Sequence, residues 1–307
     1  MVPRWGSIHR MSLQLNHLTV TSAPLAAATV VMLRDTPDGL QVLLLKRHAA
    51  SGVLGGAYVF PGGKVDADDA IVDAAAHLDE TPRRLHAALG EPMLAESAAV
   101  AIHVAAIREA FEESGVLFAD AAGATADVGS GLADLRRAPG FAFRQLLANQ
   151  QLRLRTRDLT PWSRWITPPQ PTVTNRRFDT RFFVARVGSS LEVRLDDVEA
   201  VASLWLTPAD ALARYWRREL VLAAPQIMSL SHLARHASAE SVIAEARQRG
   251  VRLIEPHICE VDGHRVTCYP GDPMHPVPVV ALPGPSRLVF RDGRFEPDGG
   301  LAALHPG

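Results

Sequence analysis

Residues 106–115 read AIREAFEESG and place Glu109, Glu112 and Glu113 within five positions. Offsets of three and four put all three carboxylates on one side of a helix, as immediate neighbours. Like charges at that spacing cost a helix roughly 0.2–0.5 kcal/mol per pair. Arg108, four before Glu112, can pair with it, and an acidic helical face is by default a solvated one. Whether the crowding serves another purpose depends on what surrounds it.

Upstream of the glutamates, Val100, Val104, Ile107 and Phe111 recur at three- and four-residue steps. They predict one helix over about 96–114, with Gly115 as its C-cap and Val116-Leu117-Phe118 leaving as a strand. Residues 25–33 and 40–47 are aliphatic, β-branched runs on either side of DTPDG, a predicted hairpin. A third strand, AYVF (57–60), runs into PGGKVD. The alanine-rich stretch at about 66–94 is broken at Thr81-Pro82, Gly90 and Pro92 and predicts one or two short helices, with Thr81 as N-cap and Pro82 at N1.

After a flexible link over 119–131, a helix is predicted at about 141–152 and strands at 176–187 and 201–206. Thr207-Pro208-Ala209-Asp210 starts a further helix, and two more occupy about 225–249. Residues 1–22 read as a flexible extension, with Met11 an alternative start, and 23–225 as the main domain. Residues 226–307 read as helices, a hairpin and a Pro/Gly-rich tail packed on the same body. Strands before, between and after helices predict an α/β or α+β sandwich.

A chain of 307 residues, 47% hydrophobic, can bury a sizeable core. Its net charge of −1 supplies no basic field for nucleic acid, and no DNA partner is expected. The twelve histidines are read one by one as surface or packing residues, none as part of a zinc site. Cys259 and Cys268 flank EVDGHRV, which reads as a hairpin turning at Asp262-Gly263. That register sets Cys259 opposite Val266; a turn one residue later would set it opposite Cys268. Two thiols in a chain this size suggest a reducing compartment and no structural disulfide. APLAAATVVML (23–33) is too short to span a bilayer, residues 1–22 lack a signal-peptide layout, and LHPG is no peroxisomal address. A cytoplasmic protein without a membrane partner is expected.

A glycine pair after a strand, followed by a helix of clustered carboxylates, is what diphosphate chemistry on magnesium requires. Mg²⁺ takes one or two carboxylates, the substrate's phosphate oxygens and several waters. Three glutamates on one helical face suit more than one such ion, which relieves their repulsion. Glycines let the main chain approach metal and phosphate without a Cβ in the way.

These residues resemble a family. Gly62-Gly63, then Arg108-Glu109-Ala110-Phe111-Glu112-Glu113-Ser114-Gly115-Val116, are similar to the Nudix box, GX5EX7REUXEEXGU. The second half matches at every fixed position. The first half departs: Arg108 follows Gly63 by 45 residues, 31 more than the consensus spacing. Counting forward from Gly63 puts Asp69 at the early glutamate, counting back from Arg108 puts Val100 there, and Asp69 and Glu96 stand as candidates. An insertion inside the box resembles the coenzyme A diphosphatase-like branch. So do VLLLKR…GAYVFPGGKVD, WSRWITP…RRFDTRFFVA, WLTPADAL and LVLAAPQ, which together span roughly residues 25–235.

The resemblance implies an α/β/α sandwich around a mixed sheet and Mg²⁺ (or Mn²⁺) as cofactor. It implies that Glu109, Glu112 and Glu113 are the metal-binding and catalytic glutamates, oriented by Arg108. Gly62 and Gly63 would border the metals. Glu199 is the candidate for a further carboxylate from a later loop, and Arg47 and Lys64 for phosphate contacts. Of the coenzyme A signature RX3GX3FPGG, Gly56 and Phe60 fit, whereas the arginine position holds Gly52 and Arg47 lies five residues earlier. The expected activity is hydrolysis of a phosphoanhydride, foremost CoA or acyl-CoA to 3′,5′-ADP and (acyl-)phosphopantetheine. The alternatives are hydrolysis of ADP-ribose, nucleotide sugars or dinucleoside polyphosphates, and a sensing module without turnover. The expected partner is a small nucleotide diphosphate, with a homodimer allowed.

Overall fold

The computed structural model describes residues 12–121, 129–195 and 198–305. Strands β1 (Leu25–Thr36) and β2 (Gly39–Arg47) form the expected hairpin, with Thr36 opposite Gly39. Two short strands follow, β3 (Tyr58–Val59) and β4 (Gly62–Lys64). The alanine-rich stretch holds two short helices, as expected, α1 (Ala74–His77) and α2 (Pro82–Leu89), preceded by a 3-10 turn (Ala67–Ile71). Thr81 caps α2 by accepting from the Arg84 N–H, with Pro82 in its first turn.

Helix α3 spans Glu96–Ser114 and ends at Gly115, whose φ of 75° suits a residue without a Cβ. Val116, Leu117 and Phe118 leave it buried but outside any strand; the strand begins later, at β5 (Ala119–Ala121). Their apolar run reports enclosure on all sides, which periodicity cannot distinguish from a core strand. The expected link lies largely on residues 122–128, outside the described ones. Next come α4 (Gly129–Leu132), α5 (Phe143–Asn149), β6 (Leu152–Leu154), β7 (Thr160–Ile166), β8 (Phe178–Arg186) and β9 (Ala200–Leu206). Helices α6 (Pro208–Trp216), α7 (Ala224–Leu233) and α8 (Ala239–Arg249) precede β10 (Arg252–Ile254). The chain closes with β11 (His257–Val261), β12 (His264–Cys268), β13 (Arg287–Arg291), β14 (Arg294–Glu296) and α9 (Leu301–Leu304).

The main sheet runs β10-β7-β8-β1-β2-β3, with β4 paired to β1 and β9 to β2. It is mixed, since β1–β8 and β10–β7 are parallel and the other pairs antiparallel. Alternation along its strands builds two cores. Val31 and Leu33, Val42 and Leu44, and Phe182 and Val184 face the layer holding α6, α7 and α8. Val30 and Met32, Leu43 and Leu45, and Phe183 and Ala185 face the layer holding α2, α3 and α5. Strands buried on both faces read as continuous apolar runs, which is why 25–33 and 40–47 looked as they did. The result is an α/β/α sandwich, as the resemblance implied.

Residues 12–22, read as a flexible extension, are tied down. Leu13 N–H donates to Gly293 O (3.0 Å), Asn16 N–H to Thr172 O (2.7 Å) and Val20 N–H to Pro169 O (2.7 Å). Their partners are remote loops, so the segment carries no periodicity of its own; residues 1–11 lie outside the described ones. The second sheet, β11-β12-β13-β14, belongs to the C-terminal segment. Its first hairpin turns at Asp262-Gly263, both with positive φ, and Cys259 faces Val266. Both cysteines are free thiols, with Cys259 Sγ 3.3 Å from Cys268 Sγ across the diagonal. Tyr215 of α6 clamps the tail, its hydroxyl donating to Phe295 O (2.6 Å) and accepting from Phe295 N–H (2.9 Å).

Candidate active site

The site forms where β1 changes partners. At one end β1 pairs with β2 (Leu33–Thr36), and at the other with β4, Ala28 facing Gly63 and Thr29 facing Gly62. This draws the glycine pair in from the sheet and lays it against α3. Gly62 N–H donates to Glu113 Oε2 at 2.9 Å. A Cβ on Gly63 would stand 2.5 Å from the Glu109 carboxylate, and one on Gly62 would strike Ala28 O. Both positions need glycine for closeness of approach.

Arg108 organises the carboxylates. Its Nε and Nη2 hold Asp69 Oδ1 and Oδ2 (2.8 and 2.9 Å), Nη1 reaches Glu109 Oε1 (2.8 Å) and Glu112 Oε2 (3.0 Å), and Nη2 also donates to Lys64 O (2.9 Å). Of the two candidates for the early acid, Asp69, reached by counting forward from Gly63 and 1% exposed, is the one Arg108 holds. Asp69 Oδ2 also accepts from Asp66 N–H (2.8 Å), which fixes the 3-10 turn. Glu96, the other candidate, is exposed at the start of α3. The insertion thus lies between Asp69 and α3, and its Glu91 anchors it to the sheet through Arg181 (2.6 Å) and Arg164 (2.8 Å).

Burial dominates the electrostatics. It pushes the Glu113 carboxyl up to about 8, with Glu109 adding to the rise and the Gly62 N–H and Arg47 opposing it. It pushes Glu109 up to about 7 against the pull of Arg108, with Glu112 and Glu199 adding. Glu112 is raised for the same first reason. Arg108 stays firmly charged: burial disfavours its cation, but Asp69 and the glutamates outweigh that. The cluster is short of positive charge, and its donors are all hard oxygens. Mg²⁺ or Mn²⁺ fits such a set, with Glu109, Glu112 and Glu113 as the residues to hold it.

The remaining expected residues converge unevenly. Arg47 and Lys64 line the same cavity as Gly62, Gly63, Glu109 and Glu112. Arg47 Nη1 is 3.9 Å from Glu113 Oε1, and Lys64 Nζ is 3.8 Å from Asp66. The loop after β2 folds back so that Arg47 N–H donates to Ala57 O (2.9 Å), bringing Arg47 beside Gly56. Gly52, at the signature's arginine position, is exposed. Glu199 is exposed just before β9 and also lines the cavity.

The cavity has a volume of about 590 Å³. Beyond the carboxylates its wall is mixed: Trp165, Val173, Phe178 and Phe182 are apolar, and Arg176, several threonines and Gln226 are polar. Two groups of lining residues escaped sequence reading. Gln226 sits in the first turn of α7, and Ile258, Thr267 and Phe295 come from the C-terminal sheet. Gln226 closes the quoted stretch LVLAAPQ, to which no role was given, whereas Ile258, Thr267 and Phe295 belong to no motif; only folding brings them to the cavity.

The family model of the NUDT19 Nudix domain matches residues 19–233. The chain belongs to this family. It is a Nudix hydrolase, similar to the acyl-coenzyme A diphosphatase NUDT19 of Xenopus laevis (28% identical over 279 residues, 79% of this chain and 73% of that one). The human acyl-coenzyme A diphosphatase NUDT19 is 30% identical over 279 residues, covering 78% of this chain and 73% of its own. Among solved structures, a Nudix hydrolase from Alicyclobacillus acidocaldarius superposes with a TM-score of 0.61 at 27% identity, covering 73% of this chain and 97% of that one. The residues from 234 onward, outside the family match, include the cavity-lining Ile258, Thr267 and Phe295.

Two further expectations meet the structure here. Among the described residues no helix is long and apolar enough to cross a membrane. Against the reading of scattered histidines, His232 and His236 are four apart and meet Glu245, Nε2 to carboxylate at 2.9 and 2.8 Å. Their ligand atoms and that of Glu245 lie within 4.8 Å of one another. Arg249 also reaches Glu245 (3.1 Å), so the group is a charge-balanced tie between the end of α7 and α8. His232-Leu233-Ala234-Arg235-His236 is an HxxxH spacing that the sequence reading passed over, and Glu245 and Arg249 arrive from the next helix to complete the group.

Proposed function

We propose that this Nudix hydrolase cleaves CoA or acyl-CoA to 3′,5′-ADP and (acyl-)phosphopantetheine, with Mg²⁺ or Mn²⁺ as cofactor. The observation that carries the reading is a carboxylate cluster and glycine pair opening into one large cavity with a partly apolar far wall. A diphosphate at the first and a pantetheine or acyl arm along the second account for both. The similarity to acyl-coenzyme A diphosphatases supports the same substrate class.

When bound, the cation would neutralise charge on the diphosphate and acidify a water. The chain's own residues do the rest. Asp69 holds Arg108, and Arg108 holds Glu109 and Glu112 toward the cavity. The Gly62 N–H holds Glu113. Arg47 and Lys64 meet phosphate oxygens, and Glu199 offers a further carboxylate from the opposite loop. Water oxygen joins phosphorus, the anhydride bond breaks, and the water's proton passes to a carboxylate of the cluster.

The test is a panel of CoA, acyl-CoA, ADP-ribose, nucleotide sugars and dinucleoside polyphosphates, with products identified by mass. CoA esters should lead in kcat/KM. ADP-ribose ahead by about tenfold, a difference of 1.4 kcal/mol in transition-state binding, would move the substrate and leave the hydrolase. No turnover on any member, with tight nucleotide binding, would favour a sensing module.

A further inference from the structure

The N-terminus of α7 opens into the same cavity. Ala223, Ala224, Pro225 and Gln226, its N-cap and first turn, all line it. The N-cap is alanine and no side chain caps the helix. Among the described residues the N–H groups of Ala224 and Gln226 meet no acceptor, and Pro225 has none to offer. Gln226 is 8% exposed, and its Oε1 is buried without a partner. A half-turn of that amide exchanges oxygen for NH₂, so the same side chain can donate.

A helix end of ten residues with open N–H groups attracts an anion, because the N-terminus carries roughly half a positive charge. A buried amide without a partner costs free energy until something fills it. The reacting diphosphate already has its place beside Gly62, Gly63, Arg47 and Lys64. The α7 end is held rigidly relative to that place. Tyr58 N–H donates to Val221 O (2.8 Å), and Phe60 shares a core cluster with Leu222, Ala224 and Ile227.

We propose that the α7 N-terminus and the Gln226 amide form a second anion subsite that takes the 3′-phosphate of a CoA-type substrate. This rests on the CoA reading. It identifies what separates CoA from ADP-ribose and dephospho-CoA, neither of which carries that phosphate.

The experiment uses the full chain as wild type, Gln226→Glu and Ala223→Asp. Steady-state kcat/KM is measured for CoA, dephospho-CoA and ADP-ribose, and Kd in EDTA for 3′,5′-ADP and 5′-AMP. Wild type should favour CoA over dephospho-CoA, and 3′,5′-ADP over 5′-AMP, by about tenfold or more, the scale of a charge-assisted hydrogen bond. Each variant sets a carboxylate at the helix end, which favours the helix and repels phosphate. Both ratios should then fall toward one. Should Ala223→Asp fail to fold, Gln226→Glu carries the test, since it is isosteric. Equal treatment of CoA and dephospho-CoA by wild type overturns the subsite, as does an equal loss on both substrates in the variants. ADP-ribose outrunning CoA overturns the CoA reading instead. The nucleotide Kd values then decide the subsite alone: 3′,5′-ADP binding no tighter than 5′-AMP rejects it.

Discussion

Arg108 grips both oxygens of Asp69, at 2.8 and 2.9 Å, across 39 residues of sequence. Both are buried, and the same guanidinium aims Glu109 and Glu112. Asp69→Asn removes the charge and leaves Arg108 partly unpaired. Breaking a buried pair from one side costs about 3–5 kcal/mol, and Glu109 and Glu112 will recover part of it here. Denaturant melts should show a loss of about 2 kcal/mol or more, with kcat falling because the glutamates lose their brace. A variant as stable and active as wild type would remove Asp69 from the site's architecture.

Glu113→Gln preserves shape and the acceptor for the Gly62 N–H while removing one of three crowded carboxyl groups, the one burial pushes up to about 8. Turnover should fall by orders of magnitude. In EDTA the stability should stay the same or rise by a few tenths of a kcal/mol, the scale of like-charge helix pairs. Added Mg²⁺ should raise the Tm of wild type more than that of the variant, since a ligand of the folded state stabilises it. If the variant melts lower in EDTA yet turns over normally, Glu113 is a structural ion-pair residue.

Gly63→Ala tests closeness of approach. Its Cβ would stand 2.5 Å from the Glu109 carboxylate, so Glu109 or the strand must shift. A misplacement of about 1 Å at a catalytic group costs on the order of a hundredfold in rate. Wild-type kcat/KM in this variant would show that Glu109 need not stand where it does.

His103 makes stability depend on pH. Burial holds its imidazole down to about 4, well below the ordinary 6.5, although its ring nitrogen is bonded to Ala99 O (2.8 Å). The folded state therefore prefers the neutral ring. Its stabilising contribution is complete above pH 6.5 and is lost as pH falls from there to about 4, because the unfolded chain takes up the proton first. The loss is on the order of 3 kcal/mol at most. His103→Phe should flatten this part of the pH–stability curve. An unchanged slope between pH 4 and 6.5 would assign the dependence to other groups.

The local elements were legible from residue order because their causes are local. Helix α3 follows from apolar steps of three and four plus Gly115, the β1–β2 hairpin from two apolar runs around DTPDG, and the second hairpin from Asp262-Gly263. The carboxylates of Glu109, Glu112 and Glu113 share a face because helical geometry puts them there. Charge repulsion among them was countable before any fold was known. What filled the interrupted half of the box was not. Asp69 and Glu96 were equal on paper, and only the turn that brings Asp69 under Arg108 separates them. Likewise Arg47 reaches the cavity by a backward fold of its loop, and Gln226, Ile258 and Phe295 reach it from helices and strands far along the chain. Sequence periodicity records which side of an element is buried. It does not record which distant element does the burying, because that choice is made by packing between surfaces whose residues are separated by tens to hundreds of positions.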